Sequence, residues 1–144
     1  MSVKSRFIGV LLAGAVTTAA PLLAQELSPE VQAGMGKATF RHYCQSCHGP
    51  EARGDGPVAQ YLKPKPADLT RIRERNKGEF PSDAVYAAIA GGQPVKGHGT
   101  SEMPVWGEAF HQTHSDESDA QIEARITQLV EYLRSIQAPE KTAP

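Results

Sequence analysis

Both cysteines of the chain fall within five residues, Cys44-Gln45-Ser46-Cys47-His48, with a histidine directly behind the second. No other feature narrows the fold so far. A thioredoxin-like redox pair opens a helix after a strand, whereas here an apolar pattern of helical period runs up to Cys44 and no strand pattern precedes it. A structural zinc site takes four Cys or His ligands, and there is no second Cys/His pair at finger spacing. A disulfide between the two thiols closes a tight loop and leaves His48 without a purpose. The chemistry that uses all three residues is attachment of a c-type haem. Cysteines at this spacing at a helix end reach two vinyl groups on one porphyrin edge, and His48 is carried over the iron as an axial ligand.

The second axial ligand must come from elsewhere. Candidates are Met103, Met35, His42, His98, His111 and His114. Met35 falls inside the first helix, on the attachment side, and is expected in the core. Met103 ends the late loop Gly97-His98-Gly99-Thr100-Ser101-Glu102-Met103-Pro104, which can present a flexible thioether to the opposite face of the ring, stiffened by Pro104. A thioether favours reduced iron, so a Met/His pair raises the potential. The ordinary role of a lone Met is to fill a gap in the core; position favours ligation by Met103.

The rest of the chain predicts an all-α fold of a few short helices and long loops wrapped around one haem. Ser28-Pro29-Glu30 combines a cap, a proline suited to the first helical position and an early acid. Val31, Met35, Ala38, Phe40 and Tyr43 continue the pattern. It lapses from Gly49 to Pro81, where Gly54-Asp55-Gly56-Pro57 is turn chemistry and Lys63-Pro64-Lys65-Pro66 is extended. Ser82 is expected to cap a short helix through Val85, Tyr86 and Ile89, stopped by Gly91-Gly92. Gln93 to Phe110 reads as another loop. Ser118 and Gln121 fit a capping box ahead of Ile122, Ile126, Leu129, Val130, Leu133 and Ile136, with Pro139 closing that helix. Loops this long are unusual in a compact domain unless they enclose something that is not protein.

The first residues differ from the others. Lys4 and Arg6 precede an almost wholly apolar run from Phe7 to Val16, then small residues through Ala19 and Ala20 to Ala24. That is the layout of a secretory signal. Residues 1–24 are expected to be removed after Ala24 and the domain to occupy 25–144, with its core at about 28–137, in the periplasm. The alternative is an uncleaved anchor, since Phe7 to Ala24 is nearly long enough to span a bilayer. Removal takes away two positive charges, leaving thirteen basic against sixteen acidic residues, a net charge of −3. Neither that charge nor any basic and aromatic stretch suits nucleic acid.

With these residues in view, the chain resembles the class I c-type cytochromes, soluble monohaem electron carriers, over roughly Ser28 to Ile136. Cys44, Cys47 and His48 match the family's attachment site, and Met103-Pro104-Val105-Trp106-Gly107 resembles its methionine loop. The resemblance implies that the Pro57 carbonyl of Gly56-Pro57 accepts the His48 imidazole N–H. It also implies that the first and last helices cross at Gly36, beside Phe40, Leu129 and Tyr132. Pro66-Ala67-Asp68-Leu69-Thr70 lengthens the middle loop, and His111 to Glu117 reads as a solvated insertion; neither is expected to touch the iron ligands. Trp106 either packs near the haem, reaching a propionate, or is an ordinary buried indole.

The resemblance implies an electron carrier, not an enzyme, passing electrons from a donor dehydrogenase or respiratory complex to an acceptor oxidase or reductase. Membrane contact is expected only through such partners unless the leader remains. Alternatives are a haem subunit dedicated to one dehydrogenase or oxidase complex, and a ligand-binding haem sensor in which Met103 leaves the iron. The segment from Lys63 to Glu79 carries six basic and three acidic residues, and Glu108 to Glu140 seven acidic and two basic. That asymmetry suggests a basic docking face for an acidic partner.

Overall fold

The computed structural model describes residues 27–91 and 103–139. Among them there are helices and no strand, in the all-α arrangement expected. α1 spans Pro29–Tyr43, α2 Gln45–His48, α3 Ile72–Arg75, α4 Ser82–Ala90, α5 Trp106–Thr113 and α6 Asp119–Ser135, with single 3₁₀ turns at Ala59–Tyr61 and Leu69–Arg71. No helix of the described residues is long and apolar enough to cross a membrane. The expected leader and its expected cut after Ala24, the expected Gly92 stop and His98 lie outside the described residues.

The first and last helices begin as their sequences direct. Ser28 caps α1, its hydroxyl accepting the Val31 amide at 3.4 Å, with Pro29 in the first turn. Ser118 and Gln121 form the expected capping box on α6: Gln121 Oε1 accepts the Ser118 amide at 2.8 Å and the Ser118 hydroxyl at 2.9 Å, so an amide that no helical carbonyl reaches is satisfied. These two helices form the main contact of the fold. They meet where Gly36 lacks a side chain: a Cβ there would overlap the Gln128 carbonyl and lie 3.0 Å from the Leu129 nitrogen. Phe40 and Tyr132 pack beside the crossing with ring centroids 5.2 Å apart. Phe40, Ile122, Ile126 and Leu129 are almost completely buried, each worth about 1.5–3 kcal/mol relative to exposure.

The structure corrects several sequence expectations. Met35 is 45% exposed, and Val31 and Ala38 also face solvent; the buried side of α1 runs through Gly36, Thr39 and Phe40 instead. Those apolar residues follow helical spacing, but on the outer side of the crossing. Ser82 is the first residue of α4 and not its cap, which is Pro81; its hydroxyl accepts from Arg134 at 2.6 Å. Gly91 ends α4 in the left-handed region. α6 stops at Ser135, before Pro139. Trp106 to Phe110 is helical where a loop was expected, because Trp106 and Phe110 turn one face of α5 inward over too few residues to show a period.

The middle loop is fastened to the end of α6. Gln137 donates to the Leu69 and Leu133 carbonyls at 2.8 and 2.6 Å and accepts the Arg73 amide at 2.9 Å, while the Ala138 amide bonds to Thr70. One glutamine thus satisfies backbone groups of two segments, and that brings Leu69 and Ile72 into the core.

Candidate haem site

The attachment pentapeptide lies on a corner. Cys44 is both the last residue after α1 and the cap of α2. A four-residue helix leaves most of its carbonyls without intrahelical partners, and the following loop folds under it to supply them. Gly49 bonds to the Gln45 carbonyl at 2.9 Å, Val58 to Ser46 at 3.0 Å, Gly56 to Cys47 at 3.2 Å and Gly54 to His48 at 2.8 Å. The loop approaches so closely that a Cβ on Gly56 would overlap the Ser46 carbonyl.

His48 is held from the other side of that loop. Its Nδ1 lies 3.1 Å from the Ala67 carbonyl, an acceptor that makes Nδ1 the protonated nitrogen and leaves the Nε2 lone pair available to a metal. The Pro57 carbonyl instead accepts from Gln60 at 3.1 Å. Both expectations about this loop are therefore corrected: the acceptor is Ala67, and the lengthened segment does touch His48. Gly54, at φ 79°, sits where a Cβ would overlap the Pro66 carbonyl, so a glycine lets the two loops meet.

Cys44, His48 and Met103 share one cleft, lined further by Phe40, Leu69, Ile72, Val85, Ile89, Trp106, Leu129 and Leu133. It has about 510 Å³ of empty space, some of it open to solvent. Cys47 is half-buried one turn after Cys44, its amide bonded to the Cys44 carbonyl at 3.2 Å, and does not line the cleft. Of the other candidate ligands, Met35 and His42 are exposed on α1, and His111 is exposed and lies 3.9 Å from Asp119. His114 lies 2.7 Å from the Tyr43 hydroxyl. None of these lines the cleft. Trp106 does, packed against Tyr43 and Phe110. The segment read as a solvated insertion is exposed except at His114 and Glu117, which are half-buried, Glu117 paired to Arg125.

Cys44 and Cys47 form no disulfide, and before haem attachment burial, with the nearby Cys47 second, pushes the Cys44 thiol up from an ordinary 9.0 to about 12. A redox-active pair requires the opposite shift. Among the described residues no cluster of three or more His, Cys, Asp or Glu could hold a metal ion, so a structural zinc has no ligand set there. An apolar cleft lined by a thiol, an oriented imidazole and a thioether has the donor set that a porphyrin iron needs.

The fold and this site define a c-type haem protein. A family model for cytochrome c matches residues 33–137, well over half of the chain, and the chain belongs to the cytochrome c family. Its cofactor is covalently attached haem c with iron, for which Cys44 and Cys47 supply the attachment pair, and its chemistry is electron transfer. No curated protein and no solved structure matches the chain.

Sequence reasoning missed Ala67, Gly54, Tyr43 and Gln137. Ala67 acts through its carbonyl, which no side chain advertises. The Gly-rich turn at 54–56 was the available signal for a close backbone approach, but it could not identify the partner strand of chain.

Proposed function

We propose that the protein is a one-electron carrier whose haem iron is held between His48 and Met103. The observation that carries this reading is the presence of Met103 in the cleft shared by Cys44 and His48, where no other candidate ligand among the described residues lies. The bound group supplies a ferric/ferrous couple. The chain supplies the rest: two sulfurs that fix one edge, an imidazole aligned by the Ala67 carbonyl, and apolar walls that exclude water. Exclusion of water disfavours the more highly charged ferric state, and a thioether ligand acts in the same direction. With His48 and Met103 both holding the iron, substrate would have no site on it, which supports transfer without catalysis.

The leader supports export, with removal of residues 1–24 after Ala24 and a mature domain at 25–144 in the periplasm. Partners there are a donor dehydrogenase or complex and an acceptor oxidase or reductase, the acidic side of one meeting the basic middle loop. Replacement of Met103 tests the ligation. Met103→Ala is expected to lower the reduction potential and open the iron to small ligands. If it changes neither, and His98→Ala changes both, His98 is the ligand instead.

A further inference from the structure

Three of the six large apolar side chains exposed among the described residues lie together at the start of α1: Leu27, Val31 and Met35, each nearly half exposed. They recur every four residues, so they share the side of α1 that faces away from its buried contact with α6. Gly34 lies on that outer side too, and a Cβ there would meet nothing within 4 Å. Gly36 admits the Gln128 backbone on the inner side, whereas Gly34 serves no contact within the chain. A glycine inside a helix costs about 0.5–1 kcal/mol relative to Ala, and nothing in this fold offsets that at Gly34.

Charge is laid out along the same side. At about 100° per residue, the exposed Glu30, Lys37 and Arg41 fall on one flank of Gly34. Val31 and Met35 fall on the other, with Leu27 and Ala38 between. No ion pair of the described residues includes Glu30, Lys37 or Arg41.

We propose that this face pairs with the same face of a second copy, the two α1 helices running antiparallel and crossing at Gly34 about a twofold axis. Glu30 is four residues before Gly34 and Lys37 three after it. An antiparallel twofold pair sets charged flank beside charged flank, so each Glu30 comes almost level with Lys37 of the other copy. On the opposite flank Val31 and Met35 of the two copies meet. A parallel pair would set Glu30 level with Glu30 and the charged flank beside the apolar one. A lipid surface would have to accept Glu30 and would leave Gly34 unexplained; a second backbone crossing close by explains it. The apolar contact supplies the attraction, and the charge pairs fix the direction, since exposed pairs contribute little by themselves. A contact of this isologous kind closes after two copies. Phe40 and Cys44, through which α1 meets the cleft, lie off this face, so pairing leaves the cleft open to redox partners. One helix face buries less than the about 800 Å² per partner of a standard interface, which makes the pair weak and dependent on concentration.

The test is sedimentation of the haem-loaded mature protein from about 10 μM to about 1 mM, at low and at high salt. The wild type should pass from monomer to dimer across that range, and salt should weaken the dimer. Gly34→Leu, whose side chain enters open space in the single copy, should keep or raise the melting temperature measured in dilute solution and yet stay monomeric. Glu30→Lys and Lys37→Glu should each weaken the dimer several-fold, and the double variant should restore it. Monomer at every concentration overturns the proposal, as does a dimer indifferent to Gly34→Leu, or a double variant no better than either single one. A monomeric wild type that floats with phosphatidylcholine vesicles, and fails to after Val31→Glu, assigns the face to a lipid surface and overturns the pairing as well.

Discussion

Nδ1 of His48 lies 3.1 Å from the carbonyl of Ala67, nineteen residues further along the chain. That bond ties the attachment helix to the middle loop, and with His48 as the proposed iron ligand it makes the loop's position part of the haem chemistry. A stronger bond at Nδ1 makes the imidazole a better donor to iron, so a weaker one raises the potential.

Gly54→Ala tests this relationship. The new Cβ would be forced against the Pro66 carbonyl at a position already at φ 79°, which displaces Ala67 from His48. Strain of about 1–3 kcal/mol is expected from the backbone alone. Voltammetry should show a higher potential, and the Nδ1 proton should exchange faster with solvent.

Gly36→Ala and Gly36→Leu test the helix crossing. Any side chain there meets the Gln128 backbone, so α1 and α6 must separate. Leu should destabilise by about 1–3 kcal/mol, the range for overpacking a tight contact, and Ala by less. Denaturant midpoints of the haem-loaded variants read the order directly.

The two ends of the fold were legible in the sequence because each carries local signals. Ser28-Pro29 and the Ser118/Gln121 box fix where α1 and α6 start, and Gly36 marks their crossing. The pentapeptide was legible because both cysteines of the chain lie in it, and the place of Met103 in the cleft because methionines are few in this chain. What the sequence hid is the work of backbone groups and distant partners. Ala67 acts through a carbonyl, Gln137 bonds to Leu69 across the molecule, and His114 finds Tyr43 seventy-one residues away. α5 escaped because eight residues hold barely two turns. Met35 was misplaced because helical spacing gives a face without saying which side of the crossing it takes.

The Cys44 thiol gives a pH test. Its proton is retained to about 12 in the fold, against an ordinary 9.0. Between those values the unfolded chain binds fewer protons than the folded one, so stability falls as pH rises through the window. The haem-loaded protein has a thioether in place of that thiol and lacks the effect, whereas burial of Tyr132 adds a slope common to both forms. Urea unfolding of the haem-free and haem-loaded proteins from about pH 8 to 11 should therefore diverge, with the haem-free form losing stability faster.

The basic middle loop gives a kinetic test. Lys63 and Lys65 are exposed, whereas Arg71 lies 3.9 Å from Asp68 and 3.2 Å from Glu74. Reversal of Lys63 and Lys65 to Glu should slow electron transfer with an acidic redox protein at low salt, and the difference should vanish as salt screens it. Rates that ignore both salt and reversal would reject steering by this segment.

The carrier account depends most on an iron whose two axial positions are both occupied by the protein. Absorption spectra of the reduced, haem-loaded protein before and after addition of carbon monoxide test it directly. The account predicts no spectral change, because His48 and Met103 hold the iron from both sides; a shifted spectrum of a carbon monoxide complex would contradict it.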